Sequence, residues 1–222
     1  MQIPVRNING DIIEHIEISD DVFGVSLNEA VIHQALVRQQ ANARQGTAST
    51  KTRGQVIGST RKLYSQKHTG RARRGDAHSP ILRGGGIAFG PHPRSYRQRM
   101  PKKMRRLALR CVLSSKVSDG ELVVVDQLQL KKPKTKEMAN ILEALGIDYS
   151  ALVVTSNFDA NVIRSARNLP GVKTLSAEGL NVVSVLSHKF LVMTAAAVRR
   201  AEQLWSPSKH ATQVDIAPGK AA

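Results

Sequence analysis

Eighteen lysines and arginines fall between Arg44 and Arg110, with a single acid, Asp76, among them. Thirteen of the eighteen are arginine. A guanidinium presents a planar fork of donors that matches phosphate oxygens and can also lie flat on a base. The window carries +17, while the other residues hold 15 basic and 16 acidic side chains, so the formal charge of +16 has one source. Charge concentrated in this way points to a polyanionic partner. The candidate phosphate ligands are Lys51, Arg53, Arg61, Lys62, Lys67, Arg71, Arg73, Arg74, Arg83, Arg94 and Arg97, followed by Lys102, Lys103, Arg105, Arg106 and Arg110. Glycines are threaded between them, as in TGRARRG at 69–75 and RGGGIAFGPHPR at 83–94. At Gly84, Gly85 and Gly86 the missing side chain would let backbone approach a phosphate chain closely. Tyr64, Phe89 and Tyr96 could stack on unpaired bases, or Phe89 and Tyr96 could instead anchor the base of their own segment.

The elements that must present these residues lie on either side of them. Ile3 and Val5, then Ile12, Ile16 and Ile18, fall on a period of two around Asn9-Gly10, which predicts a hairpin. Ser26 and Glu29 read as a capping box for a helix that runs to about Asn42. From Arg44 to Met100 neither a period of two nor one of 3.6 is sustained. Structureless stretches longer than about 12–15 residues are uncommon inside compact domains and tend to be functional or disordered. Folded back as a hairpin, this one could reach up to about 90 Å when fully extended. Regular structure resumes with a helix that has Pro101 at its first position. Met104, Leu107, Ala108, Cys111 and Val112 form its apolar stripe, and Lys102, Lys103, Arg106 and Arg110 its cationic face.

Beyond Gly120 short apolar runs alternate with helical windows. Strands are expected at 122–126, 151–155, 172–175 and 189–194, and helices at 135–145, 159–169, 181–187 and 195–204. That alternation predicts an α/β fold with a doubly wound, mainly parallel sheet and flanking helices. The expected organisation is one globular domain from 1–43 and 101–205, an extended basic loop at 44–100 inserted between the first long helix and the helix near Pro101, and a flexible tail at 206–222.

Other chemistries find little support. Cys111 is the only cysteine, which excludes a disulfide framework, and its place on an apolar helix face reads as a buried structural thiol. His68, His78 and His92 lie in the basic segment without clustered cysteines or acids, so no metal site is expected. The turn after LVVVD is QLQLKKPKT, without the glycines a dinucleotide site requires, and no phosphate-loop spacing occurs, so neither cofactor nor small-molecule substrate is implied. No apolar run reaches the length of a membrane span. An N-terminus bearing Glu14, Glu17, Asp20 and Asp21 does not resemble a secretory or transit sequence, so a cytoplasmic protein is expected. No helix-turn-helix, zinc finger or basic zipper appears, and a long irregular arm suits folded RNA better than a regular duplex.

The residues KTRG at 51–54, QKHTGRAR at 66–73, SPILRGGG at 79–86, FGPHPR at 89–94 and KKMRRLALR at 102–110 resemble, in that order, the bacterial type of the large-subunit ribosomal protein L-four family. The resemblance covers nearly the whole chain. It implies a structural protein whose α/β domain sits on the outer surface of the large subunit and whose loop enters large-subunit ribosomal RNA to reach the peptide exit tunnel. It also implies an early part in subunit assembly and ribosomal-protein neighbours near the tunnel, L-twenty-two among them. The family motif adds Gln66 and Thr69 to the RNA-binding set. The tip spans 63–71, with Tyr64, Gln66, Lys67, His68 and Arg71 as its contacts. Three positions depart from the family pattern: Tyr64-Ser65 replaces a common Trp-Arg pair, and His68 replaces a usual glycine. The resemblance therefore carries the placement of the tip and not its detail. The segment is expected to order on RNA and to pin RNA stretches that are distant in sequence. Two alternatives stay open on the residues alone: an RNA-modifying enzyme with a basic docking loop, and a regulatory RNA-binder acting away from the ribosome.

Overall fold

The computed structural model describes residues 1–130, 132–148 and 150–207. Of the expected tail, residues 208–222 lie outside the described residues. The chain divides into two compact units: Met1–Gln39 together with Arg99–Ala222, and Gln40–Gln98.

The first unit is a mixed α/β fold around a six-stranded sheet. Its elements in chain order are β1 Gln2–Arg6, β2 Ile12–Glu17, α1 Asp20–Phe23, α2 Glu29–Ala43 (whose last turn belongs to the second unit), α3 Lys102–Ser118, β3 Leu122–Val125, α4 Thr135–Ala144, β4 Ala151–Thr155, α5 Ala160–Ala166, β5 Val172–Ser176, α6 Val182–Ser187, β6 Phe190–Thr194 and α7 Ala195–Trp205. The strand order is β2-β1-β3-β6-β4-β5. Among the described residues, only the β1–β2 pair is antiparallel. Strand β6, last in the chain, lies between β3 and β4, where it pairs Val192 with Val123 on one side and Val153 on the other.

Alternation along the inner strands sends side chains to two separate cores. Val124, Leu152, Val154, Leu191 and Met193 face one core with α1, α3, α6 and α7. Val125, Ala151, Val153 and Val192 face the other with α4 and α5. Helices on both faces explain why these strands read as unbroken apolar runs. Local chemistry closes the elements. Asp159, Asn181 and Thr194 cap α5, α6 and α7 through their side-chain oxygens. Gly146, at φ +73°, ends the turn after α4.

Four expectations need adjustment. The N-terminal turn is organised by Asn7, whose Oδ1 accepts from the Asn9 and Asp11 amides at 2.8 and 2.9 Å, with Gly10 supplying the positive φ. Helix α2 is capped not by Ser26 but by Asn28, whose Oδ1 accepts from the Val31 amide at 3.2 Å. Pro101 stands at the N-cap of α3, one residue before the helix. The short α1 was not foreseen, yet it buries Val22 and Phe23 completely. Cys111 is fully buried and donates from Sγ to the Ser26 carbonyl at 3.3 Å.

In the second unit, no helix or strand occurs between residues 44 and 98. Its chain folds back on itself through spaced backbone hydrogen bonds. Arg94 donates to Gly46 at 3.1 Å, Thr50 to Pro91 at 3.0 Å, Ile87 to Lys51 at 2.9 Å, and Leu63 to Gly75 at 3.0 Å. These rungs link an outgoing arm to a returning arm in regular order.

Candidate nucleic-acid interface

Within the second unit, Lys51, Arg61, Lys62, Lys67, Arg71, Arg73, Arg83, Arg94 and Arg97 are exposed, while Arg74 is half-buried. Cations with no acid beside them repel one another, so a surface of this kind is held at a cost that a polyanion removes. The backbone beneath is shaped locally. At the far end, the Tyr64 hydroxyl donates to the Ala72 carbonyl, and the Ser65 hydroxyl to the Lys67 carbonyl at 3.1 Å. Lys62 donates to Gln66 Oε1 at 2.7 Å and to the Arg74 carbonyl at 3.3 Å. Lys67, His68 and Arg71 are exposed around this turn, with Gln66 beside them and Thr69 half-buried. His68 has φ +65°. That left-handed conformation is natural for glycine, and it is one that histidine adopts more readily than β-branched residues do.

At the near end Tyr96 serves the segment itself. The Arg44 guanidinium carbon lies 4.0 Å from the ring centroid and that of Arg94 lies 4.7 Å from it. Arg94 at its hydroxyl, with a smaller contribution from Arg44, holds the phenol below the usual tyrosine range. Asn42 Oδ1 accepts from the Gln98 amide at 2.7 Å. Of the two readings of the aromatics, Tyr96 follows the anchoring one, whereas Phe89 is fully exposed and has φ +53°.

Besides Lys62, Gln66 and Arg94, the binding-set residues Arg53, Gly85 and Gly86 are engaged within the segment. Arg53 donates to Asp76 Oδ2 from Nη2 at 2.7 Å and from Nε at 3.3 Å. Gly85 and Gly86 lie where the chain crosses itself, since a Cβ on Gly85 would meet the Ser79 carbonyl and one on Gly86 the Arg53 backbone. Gly84, at φ +80°, has open space around it. The sequence reading missed Asp76 and His78, both buried. Their signal was present: an acid that stands alone among eighteen cations must be paired internally or it would repel the phosphates its neighbours attract.

In the first unit, α3 offers a separate cationic surface. Lys102, Lys103 and Arg105 are exposed and Arg106 is half-buried, while Ala108, Leu109, Cys111, Val112 and Leu113 pack inward. The first turn contains no acid. Lysines at a helix N-terminus oppose the helix dipole, and an anion there satisfies both the dipole and the free amides. Arg110 is drawn partly inward, with Nη1 donating to the Asp21 carbonyl at 3.4 Å, which leaves it less free than its four neighbours.

Dense exposed cations on an irregular segment make a surface suited to a polyanionic partner. Residues 16–204 match the Ribosomal protein L4/L1 family, and the chain belongs to that family. The family is structural and non-enzymatic, so the chain is not an enzyme. Among curated relatives, the large ribosomal subunit protein uL4 of Dehalococcoides mccartyi is 58% identical over 205 residues, covering 92% of this chain and 98% of that protein. The protein of the same name from Desulforudis audaxviator is 54% identical over 200 residues, covering 90% and 97%. That from Moorella thermoacetica is 49% identical over 203 residues, covering 91% and 98%.

Proposed function

We propose that this chain is a structural constituent of the large ribosomal subunit and that it binds large-subunit ribosomal RNA through residues 44–100. The exposed N-terminal turn of α3 supplies a second set of contacts. The cytoplasmic ribosome is its place of action. The tip at 63–71 lines the peptide exit tunnel, near other large-subunit proteins, and the chain joins the subunit early in assembly. Family membership supports the ribosomal reading. The observation that carries RNA binding is the array of exposed, acid-free cations on the second unit. Each cation that neutralises a phosphate releases counterions, so affinity should fall with salt by about 0.7–0.9 logarithmic units per contact and per tenfold change in salt. The test compares intact protein with a variant in which 44–100 is replaced by a short Gly-Ser linker, on large-subunit ribosomal RNA across a salt series. A steep salt dependence that collapses in the linker variant, with the α/β domain still folded, supports the proposal. Equal affinity of the two proteins would overturn it.

A further inference from the structure

We infer that Phe89 stacks on an unpaired base of large-subunit ribosomal RNA, and that the returning arm of the basic segment is bulged to present it. This deepens the RNA-binding reading and rests on it. The arms need not hold this arrangement without RNA, since a segment that orders on its partner takes up its geometry there. Two consecutive residues of the outgoing arm set the frame. The Ile87 amide donates to the Lys51 carbonyl at 2.9 Å, and the Thr50 amide donates to the Pro91 carbonyl at 3.0 Å. Between these two bonds the outgoing arm advances by a single step. The returning arm runs from Ile87 to Pro91, so Ala88, Phe89 and Gly90 have no residue opposite them. A surplus of this kind bends the longer arm and re-aims the side chain at its crest. Phe89 occupies that crest: its φ is +53° and it is 106% exposed. Gly90 lets the bulge close, because a Cβ there would collide with the Thr50 hydroxyl oxygen and crowd Ile87.

Both features are unfavourable in water. Bulky side chains rarely adopt a left-handed backbone, and a phenyl ring turned wholly outward forgoes the gain of burial. A surface outside the chain has to recover both. Exposure alone does not single Phe89 out, since Ile57 is 95% and Ile81 83% exposed in the same segment. Phe89 adds to exposure the left-handed backbone of a bulge and a planar π face. A nucleobase offers the matching flat face, and stacking on an aromatic ring requires no particular base. The surroundings suit a nucleotide. No acid occurs in the sequence between Asp76 and Asp119. Lys51 on the facing arm and Arg83 on the returning arm are exposed, so both are available to phosphates. Cations would thus hold the backbone of the RNA while the ring engages a base that is not paired.

The test uses the full chain on large-subunit ribosomal RNA across a salt series, with three variants. Phe89→Gly removes the ring and relieves the backbone, Phe89→Leu keeps apolar bulk without a π face, and Phe89→Tyr keeps the ring. Phe89→Gly and Phe89→Leu should each bind about tenfold more weakly, and Phe89→Tyr should bind like the unaltered chain. The salt slope should stay the same in all three, because no phosphate contact is lost. In the complex with Phe89→Gly, a base covered by the unaltered chain should become open to base-modifying reagents, while protection of the RNA backbone from cleavage is unchanged. Equal affinity of Phe89→Gly and the unaltered chain, both on a steep salt slope, would overturn the stacking and leave the RNA-binding reading standing. Full affinity in Phe89→Leu would mean a merely apolar contact, such as one with a neighbouring protein, and would overturn it as well. If the unaltered chain fails to bind this RNA, the RNA-binding reading fails and the stacking falls with it.

Discussion

Tyr96 is held beneath two guanidiniums, and with Arg44 it joins the two ends of the basic segment. Exposed cation–π contacts contribute about 0.5–1 kcal/mol each. Tyr96→Leu should therefore increase amide exchange at Arg94, whose N–H bonds to the Gly46 carbonyl, whereas Tyr96→Phe should keep most of the protection. Similar loss in both variants would shift the credit from the ring to the hydroxyl.

The same ring gives a pH signature. Arg94 and Arg44 lower the phenol from its ordinary value of 10.0, and burial opposes them more weakly than Arg94 favours the phenolate. A folded pKa depressed in this way makes ionisation stabilising: the gain is complete above 10.0 and vanishes as pH falls through the lowered value. An ultraviolet titration should show one tyrosine ionising earlier than the others, and Tyr96→Phe should remove that component. A titration unchanged by Tyr96→Phe would refute the assignment.

His68 tests the fit between residue type and backbone at the tip. Its φ of +65° suits glycine, but glycine also gains freedom in the unfolded chain. These effects nearly cancel, so His68→Gly should alter tip protection little, within about 1 kcal/mol. A β-branched His68→Val should cost about 1–2 kcal/mol in the left-handed region. Exchange at the Leu63 amide, which donates to Gly75 across the tip, reads both effects. Equal behaviour of the two variants would mean that the left-handed conformation is not held in solution.

Helix α2 separates pattern from geometry. Ser26 satisfies the capping-box motif, but Asn28 makes the bond to the Val31 amide. Asn28→Ala should destabilise the protein by about 0.5–2 kcal/mol in denaturant unfolding. Ser26 is exposed, and Ser26→Ala should stay within about 0.5 kcal/mol. The reverse ranking would restore the motif reading.

These cases show which physics is visible along a chain. The inner strands were legible because burial on both faces demands unbroken apolar runs, as in LVVV and ALVVT. Asp159 and Thr194 were legible as helix starts because the bond each makes is local. Asn28 was obscured by a competing motif two residues away. Helix α1 was missed because four residues carry no period, and only the distant packing of Val22 and Phe23 into the core fixes them. In the basic segment, exposure of the cations followed from composition. The partners of Arg53, Gly86 and Tyr96 did not, since each lies on another pass of the chain and no periodicity links them.

Asp76 offers a way to loosen the crossing of the chain near Gly86 without touching a cation. Arg53, by its hydrogen bond and then by its charge, and His78 more weakly, hold the carboxyl below its ordinary value of 3.8, against the opposing effect of burial. Arg53 and His78 are the charged or titratable groups that face it. Because the folded pKa is depressed, the stabilisation is fully present above 3.8 and is lost as pH falls through the lowered value. Protection at Gly86 should thus be flat from neutral pH down to that point and then decline before protection at Val192 does. Asp76→Asn retains the shape and an acceptor oxygen but removes the charge. It should show weaker protection at neutral pH and no further step of this kind in acid. A step that persists in Asp76→Asn would assign the acid sensitivity to another group and detach Asp76 from the stability of the crossing.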